Sequence, residues 1–221
     1  MVTSDRERRC HTLGVDEGSG PAGRRIDRLG EPDRLEAFSD GVMAVIITIM
    51  AFSIPTPKGS SFGSLRDLAP HLLVYVLSFA MVGIYWNNHH HLLRATERIA
   101  GSVMLANLFL LFWLSLFPVV TAWVGQHPGA QAPAMAYGLV GLGSGLAYSL
   151  LVRAIIRVNG TDSMVGRSVG TDRKGYLSLA CYSAGMVLAL RSPWPAYALY
   201  AAVAVMWFIP DRRLARAAGG S

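Results

Sequence analysis

Arg34-Leu-Glu-Ala-Phe38-Ser39-Asp40-Gly-Val-Met-Ala-Val45-Ile-Ile-Thr48-Ile49-Met-Ala-Phe52-Ser-Ile54 opens on charged and polar residues, continues as an apolar run, and stops at Pro55. Its length and composition predict a membrane-spanning helix with a polar threshold. Asp40 stands on that threshold, where a carboxylate is costly unless another group meets it. Finding the groups that meet it organises the reading of the remaining chain.

The chain has 221 residues, of which 52% are hydrophobic and only 15% charged. Its mean hydropathy is +0.37. A water-soluble domain carries about a quarter charged residues, so the bulk of this chain belongs in a lipid bilayer. The net charge of +6 could suit nucleic acid. However, the basic residues fall in short clusters between apolar blocks, which marks a multi-span membrane protein and argues against nucleic acid as a partner. Cys10 and Cys181 form no disulfide framework and are read as free thiols. Residues 1–31 are rich in Arg, Gly and Asp without a signal-peptide apolar core, which predicts a disordered, basic cytoplasmic tail.

Six apolar blocks follow, near 35–54, 68–91, 99–124, 132–153, 175–190 and 195–209. The first four match the ~20 residues a helix needs to cross a bilayer. The last two are shorter, and Arg191-Ser-Pro193-Trp-Pro195 divides them into separate spans. All but three of the 20 lysines and arginines lie between the N-terminus and Arg34, at 94–98, at 153–174 or after Pro210, leaving Lys58, Arg66 and Arg191 for the opposite side. By the positive-inside rule both termini are cytoplasmic, which needs an even number of spans. The expectation is an all-α integral membrane protein with six transmembrane helices at 32–210, a short basic tail at 211–221, and a multi-pass location in the cell membrane.

On a wheel at 100° per residue, Val45, Ile49 and Phe52 share one face of the first helix, and Gly41 and Phe38 extend it. Asp40 points about 140° away from that seam. From spacing alone the seam is an ordinary packing stripe. Thr48 flanks it, and a threonine hydroxyl in a membrane helix usually bonds its own backbone. The small residues of the fourth block, Gly138, Gly141, Gly143, Ser144, Gly145 and Ala147, permit close helix approach and are read as packing within one subunit.

The second helix ends in Tyr85-Trp86-Asn87-Asn88-His89-His90-His91, on the same side as Asp40. Consecutive helical histidines point 100° apart, and no nearby Cys, Asp or Glu completes a zinc set, so no metal and no cofactor is expected. Instead, one histidine is expected to hydrogen-bond Arg34, Ser39 or Asp40, together with Trp86 or Asn88. Asn107, an amide within the third apolar block, also needs a partner. No serine lies in a nucleophile-elbow context and no acid pair lies within the spans, so an enzyme is not expected.

Arg34-x-x-x-Phe38-Ser39-Asp40, the Trp86–His90 segment, Asn107-Leu-Phe-Leu110 and Leu116-Phe117-Pro118 together resemble the prokaryotic members of the transmembrane protein 175 family of potassium channels. The resemblance spans about 34–121. It implies a homotetramer whose first helices line a central potassium pathway without a carbonyl filter. It implies further that Val45, Ile49 and Phe52 form a hydrophobic constriction, with Thr48 as a polar layer. Arg34, Phe38, Ser39, Asp40, Trp86, His89, His90 and Asn107 would then be a structural polar network holding the helix. The family usually carries Ile or Leu at the three constriction positions, so Val45 and Phe52 set this chain apart.

The expected activity is passive, potassium-preferring cation conduction through a fourfold pore gated by dewetting. Two rivals remain beside it. One is a proton-coupled transporter or proton channel using Asp40 and His89–His91, and the other is a metal-binding or enzymatic protein built on His89–His91.

Overall fold

A computed structural model describes residues 31–168 and 173–208. These residues form nine helices: α1 (Glu31–Phe52), α2 (Phe62–Asp67), α3 (Ala69–Arg94), α4 (Gly101–Ser115), α5 (Phe117–Gln126), α6 (Gln131–Asn159), α7 (Met164–Ser168), α8 (Arg173–Ala189) and α9 (Pro193–Phe208). The tails expected at 1–31 and 211–221 lie outside the described residues, except Glu31, which begins α1.

Proline sets most of the breaks. The α1 ladder ends where Ser53 N donates to Ile49 O, two residues before Pro55. Pro70 sits in the first turn of α3, where its missing N–H costs nothing. The third apolar block is not one unbroken helix. Pro118 has no N–H to offer the turn before it, so the block divides at Leu116 into α4 and α5.

Among the described residues four stretches are long and apolar enough to cross a membrane: 32–52, 69–94, 101–126 and 131–159. The α8 and α9 helices have 17 and 16 residues. The described residues thus form an all-helical bundle with four helical stretches long and apolar enough to span a membrane and two further helices, α8 and α9.

Packing places α1 on one flank, against α3, α4 and α5. α6 lies between α4 and α8, and α9 closes the bundle against α8, α3 and α6. Small residues of α6 make this arrangement possible. A Cβ at Gly138 would collide with Tyr200, one at Gly141 with Tyr182, and one at Gly143 with Trp113. The three aromatic side chains belong to the same chain as the glycines, so the small-residue stripe serves packing within the subunit. Tyr137, Tyr182 and Tyr200 are fully buried, and the Tyr200 ring lies 5.7 Å from Tyr137 and 5.6 Å from Tyr182.

Candidate pore helix and its polar anchor

α1 has two apolar faces with opposite fates. Leu35, Met43, Ile46 and Met50 are buried with Ser39 on the side facing α3, α4 and α5. Their spacing of four, four, three and four residues is that of a single helical stripe. The other stripe has no cover among the described residues: Phe38, Val45, Ile49 and Phe52 are 52%, 56%, 50% and 83% exposed. Gly41 and Thr48 are exposed beside them. Thr48 Oγ1 donates to Ala44 O at 2.8 Å, so its hydrogen is used locally while its oxygen keeps lone pairs free.

The buried stripe is pinned at its polar end by side chains from three helices. Asn107 of α4 donates from Nδ2 to Ser39 Oγ at 2.9 Å. Its Oδ1 lies 2.7 Å from His89 Nε2 of α3. The amide orientation requires Nε2 to carry the proton, because Oδ1 can only accept. Ser39 Oγ in turn donates to Leu35 O at 2.8 Å. Ser39, His89 and Asn107 are all fully buried. Asn107 therefore finds its partners, and His89 reaches α1 through that amide rather than directly.

The remaining residues named in the sequence divide into two groups. Trp86 stacks on His90 at 5.7 Å. His90 Nδ1 stands 2.6 Å from Glu36 Oε1, and Arg94 Nε stands 3.6 Å from the same oxygen. The His90–Glu36 approach is an ion-pair distance without hydrogen-bond alignment, since His90 Nδ1 has no hydrogen-bond partner among the described residues. Asp40 Oδ1 is likewise buried and without a hydrogen-bond partner. Arg34 and Phe38 are exposed and do not join the buried chain of hydrogen bonds.

Glu36 is the residue that sequence reasoning missed. One turn before Asp40 on α1, it was open to discovery through that i, i+4 spacing. Only the packing of α1 on α3 brings it to His90. One ligand atom from each of Glu36, Asp40 and His90 lies within 4.8 Å of the others, so the acids absent from the histidine run arrive from another helix.

A second pin holds the far end of the same stripe. Ser78 Oγ of α3 lies 2.6 Å from Thr121 Oγ1 of α5 and 3.1 Å from Tyr137 Oη of α6. Thr121 Oγ1 in turn approaches Met50 Sδ of α1 at 3.9 Å. The exposed stripe is thus borne on a helix fastened near both ends of its opposite face. Such a helix can present a fixed row of apolar side chains, one hydroxyl layer and no ionisable group between Gly41 and Ile54.

Residues 34–118 match the family described as "Endosomal/lysosomal potassium channel TMEM175". A potassium channel of Chryseobacterium sp. (strain P1-3) is 45% identical over 82% of this chain and 94% of its own length. A potassium channel of Streptomyces collinus is 33% identical over 56% of this chain and 64% of its own. The crystal structure of a lysosomal potassium-selective channel TMEM175 homolog from Chamaesiphon minutus superposes with a TM-score of 0.71 at 25% identity. That alignment covers 80% of this chain and 96% of the other. Sequence similarity over nearly the whole of one relative and a shared fold with a solved channel lead to one conclusion: the chain belongs to the TMEM175 family, which consists of ion channels rather than enzymes.

Proposed function

We propose that this chain is a subunit of a potassium-preferring cation channel in which four copies bring α1 to a common axis. The observation that carries the reading is the pair of opposed stripes on α1. One stripe is pinned inside the subunit, and the other presents Val45, Ile49 and Phe52 with no cover from the described residues. In a tetramer, three rings of these side chains would form a constriction that excludes water until the helix moves. Thr48 would add a ring of hydroxyl oxygens whose lone pairs can replace part of a cation's hydration. Arg34, Phe38, Ser39, Asp40, Trp86, His89, His90 and Asn107 would form the polar network that positions the helix, with Ser39, Asn107 and His89 as its buried centre. The membrane orientation that suits this reading has six spans and both termini in the cytoplasm, which places the Ser39–Asn107–His89 chain at the cytoplasmic end.

Similarity to bacterial potassium channels over most of their length supports potassium as the permeant ion. The proton reading has weaker support. An endosomal/lysosomal proton channel of Bos taurus is 40% identical over 29% of this chain, which is 17% of that protein. The acids of α1 and the run His89–His91 of α3 gather at one end, whereas a proton path along α1 would need titratable groups beyond Asp40.

Potassium and sodium flux into proteoliposomes tests the proposal. Wild-type protein should pass potassium in preference to sodium without an imposed proton gradient. Ile49→Asn should raise flux and narrow the difference between the ions, because an amide ring wets the constriction. Unchanged flux and ion preference in that variant would refute the assignment of α1 to the pore.

A further inference from the structure

Glu36, Asp40 and His90 flank the Ser39–Asn107–His89 chain but take no part in it. Glu36 and Asp40 are one turn apart on the same side of α1, a spacing at which like charges repel. Arg94, whose side chain is 68% exposed, stands 3.6 Å from Glu36. Among the described residues Asp40 Oδ1 is buried without a hydrogen-bond partner, and His90 Nδ1, though 2.6 Å from Glu36 Oε1, makes no aligned hydrogen bond. Buried polar atoms left in this condition call for a further group.

The donor set says which group. An imidazole with two carboxylates offers mixed nitrogen and oxygen ligands, which suit first-row divalent ions better than magnesium, whose preference is for an oxygen shell including water. In a tetrahedral zinc site with bonds of about 2.1 Å, ligand atoms stand roughly 3.4 Å apart. The three ligand atoms lie within 4.8 Å of one another, close to that spacing. Trp86, stacked on the His90 ring, covers one side and holds the imidazole.

The geometry points to a zinc-type divalent cation site formed by Glu36, Asp40 and His90, with water in the fourth position. Occupancy ties α1 to α3 at the polar threshold. Where α1 lines the pore, as the proposed function has it, this clamp restrains the helix, so zinc on that side slows potassium flux. Binding itself does not rest on that reading.

The test uses the purified full-length protein in detergent, stripped with chelator and titrated calorimetrically with zinc, with magnesium as comparison. One saturable zinc per chain is expected, without an equivalent magnesium site. Glu36→Gln and His90→Ala should each weaken zinc binding by at least the ~10- to 100-fold that loss of an outer-shell partner costs. His91→Ala should bind as wild type does. Zinc should raise the Tm of the wild type but not that of Glu36→Gln, a near-isosteric change. No saturable site in the wild type, or wild-type affinity in both Glu36→Gln and His90→Ala, overturns the site. In proteoliposomes, zinc should slow potassium flux in the wild type and leave Glu36→Gln unaffected, and zinc binding without any change in flux overturns the clamp. Zinc binding by a protein that passes no potassium would overturn the channel reading and leave the site standing. Potassium flux without zinc binding would do the reverse.

Discussion

Replacing Asn107 with Ala tests the anchor of α1 directly. The substitution deletes the 2.9 Å bond to Ser39 and the 2.7 Å bond to His89. Ser39 keeps its bond to Leu35 O, but His89 is left fully buried with both ring nitrogens unpartnered. Side-chain hydrogen bonds within membrane bundles average about 0.6 kcal/mol each, so the two account for roughly 1 kcal/mol. Stranding a buried polar ring adds about 1–3 kcal/mol. The expected loss is therefore about 2–4 kcal/mol, read by reversible unfolding in mixed micelles. A double-mutant cycle with His89→Leu isolates the pair. The double variant should lose clearly less than the sum of the singles, because removing the imidazole removes the stranded group. An Asn107→Ala loss within about 0.5 kcal/mol, the usual scale of an inconsequential surface change, would refute the reasoning. Additive losses in the cycle would do so as well.

The other expectations are shorter. Thr48→Val keeps shape and removes the hydroxyl, so potassium-over-sodium preference should fall in flux assays while the Tm stays near wild type, since Thr48 is exposed and bonded only to its own helix. Gly141→Ala drives a methyl into the Tyr182 ring and should destabilise the bundle by about 1–3 kcal/mol, as overpacking does. A wild-type Tm in that variant would show that α6 and α8 are not so closely packed. Ser78→Ala removes the common partner of Thr121 and Tyr137 and should cost about 1–3 kcal/mol through the hydroxyls left buried. Thr121→Val in that background should then cost less than it does alone.

Much of this protein is determined by its sequence acting locally. Apolar blocks of span length become helices because an unpaired backbone is intolerable in lipid, and Pro55, Pro118 and Pro193 mark breaks or starts because proline cannot donate to the ladder. The 100° period alone separates Val45, Ile49 and Phe52 from Asp40 on α1. Which stripe is covered is a different matter. Val45 and Met43 are equally apolar, and only the packing of α1 on α3, α4 and α5 buries one and leaves the other exposed. The partner of Asn107 was likewise undetermined until three helices converged, since Ser39 and His89 lie 68 and 18 residues away along the chain. Glu36 passed unnoticed for the same reason: its meeting with His90 depends on how two helices lie together. Short-range sterics and hydrogen bonding fix helices and their periodicities, whereas the choice of face and partner is made by contacts between residues far apart in the chain.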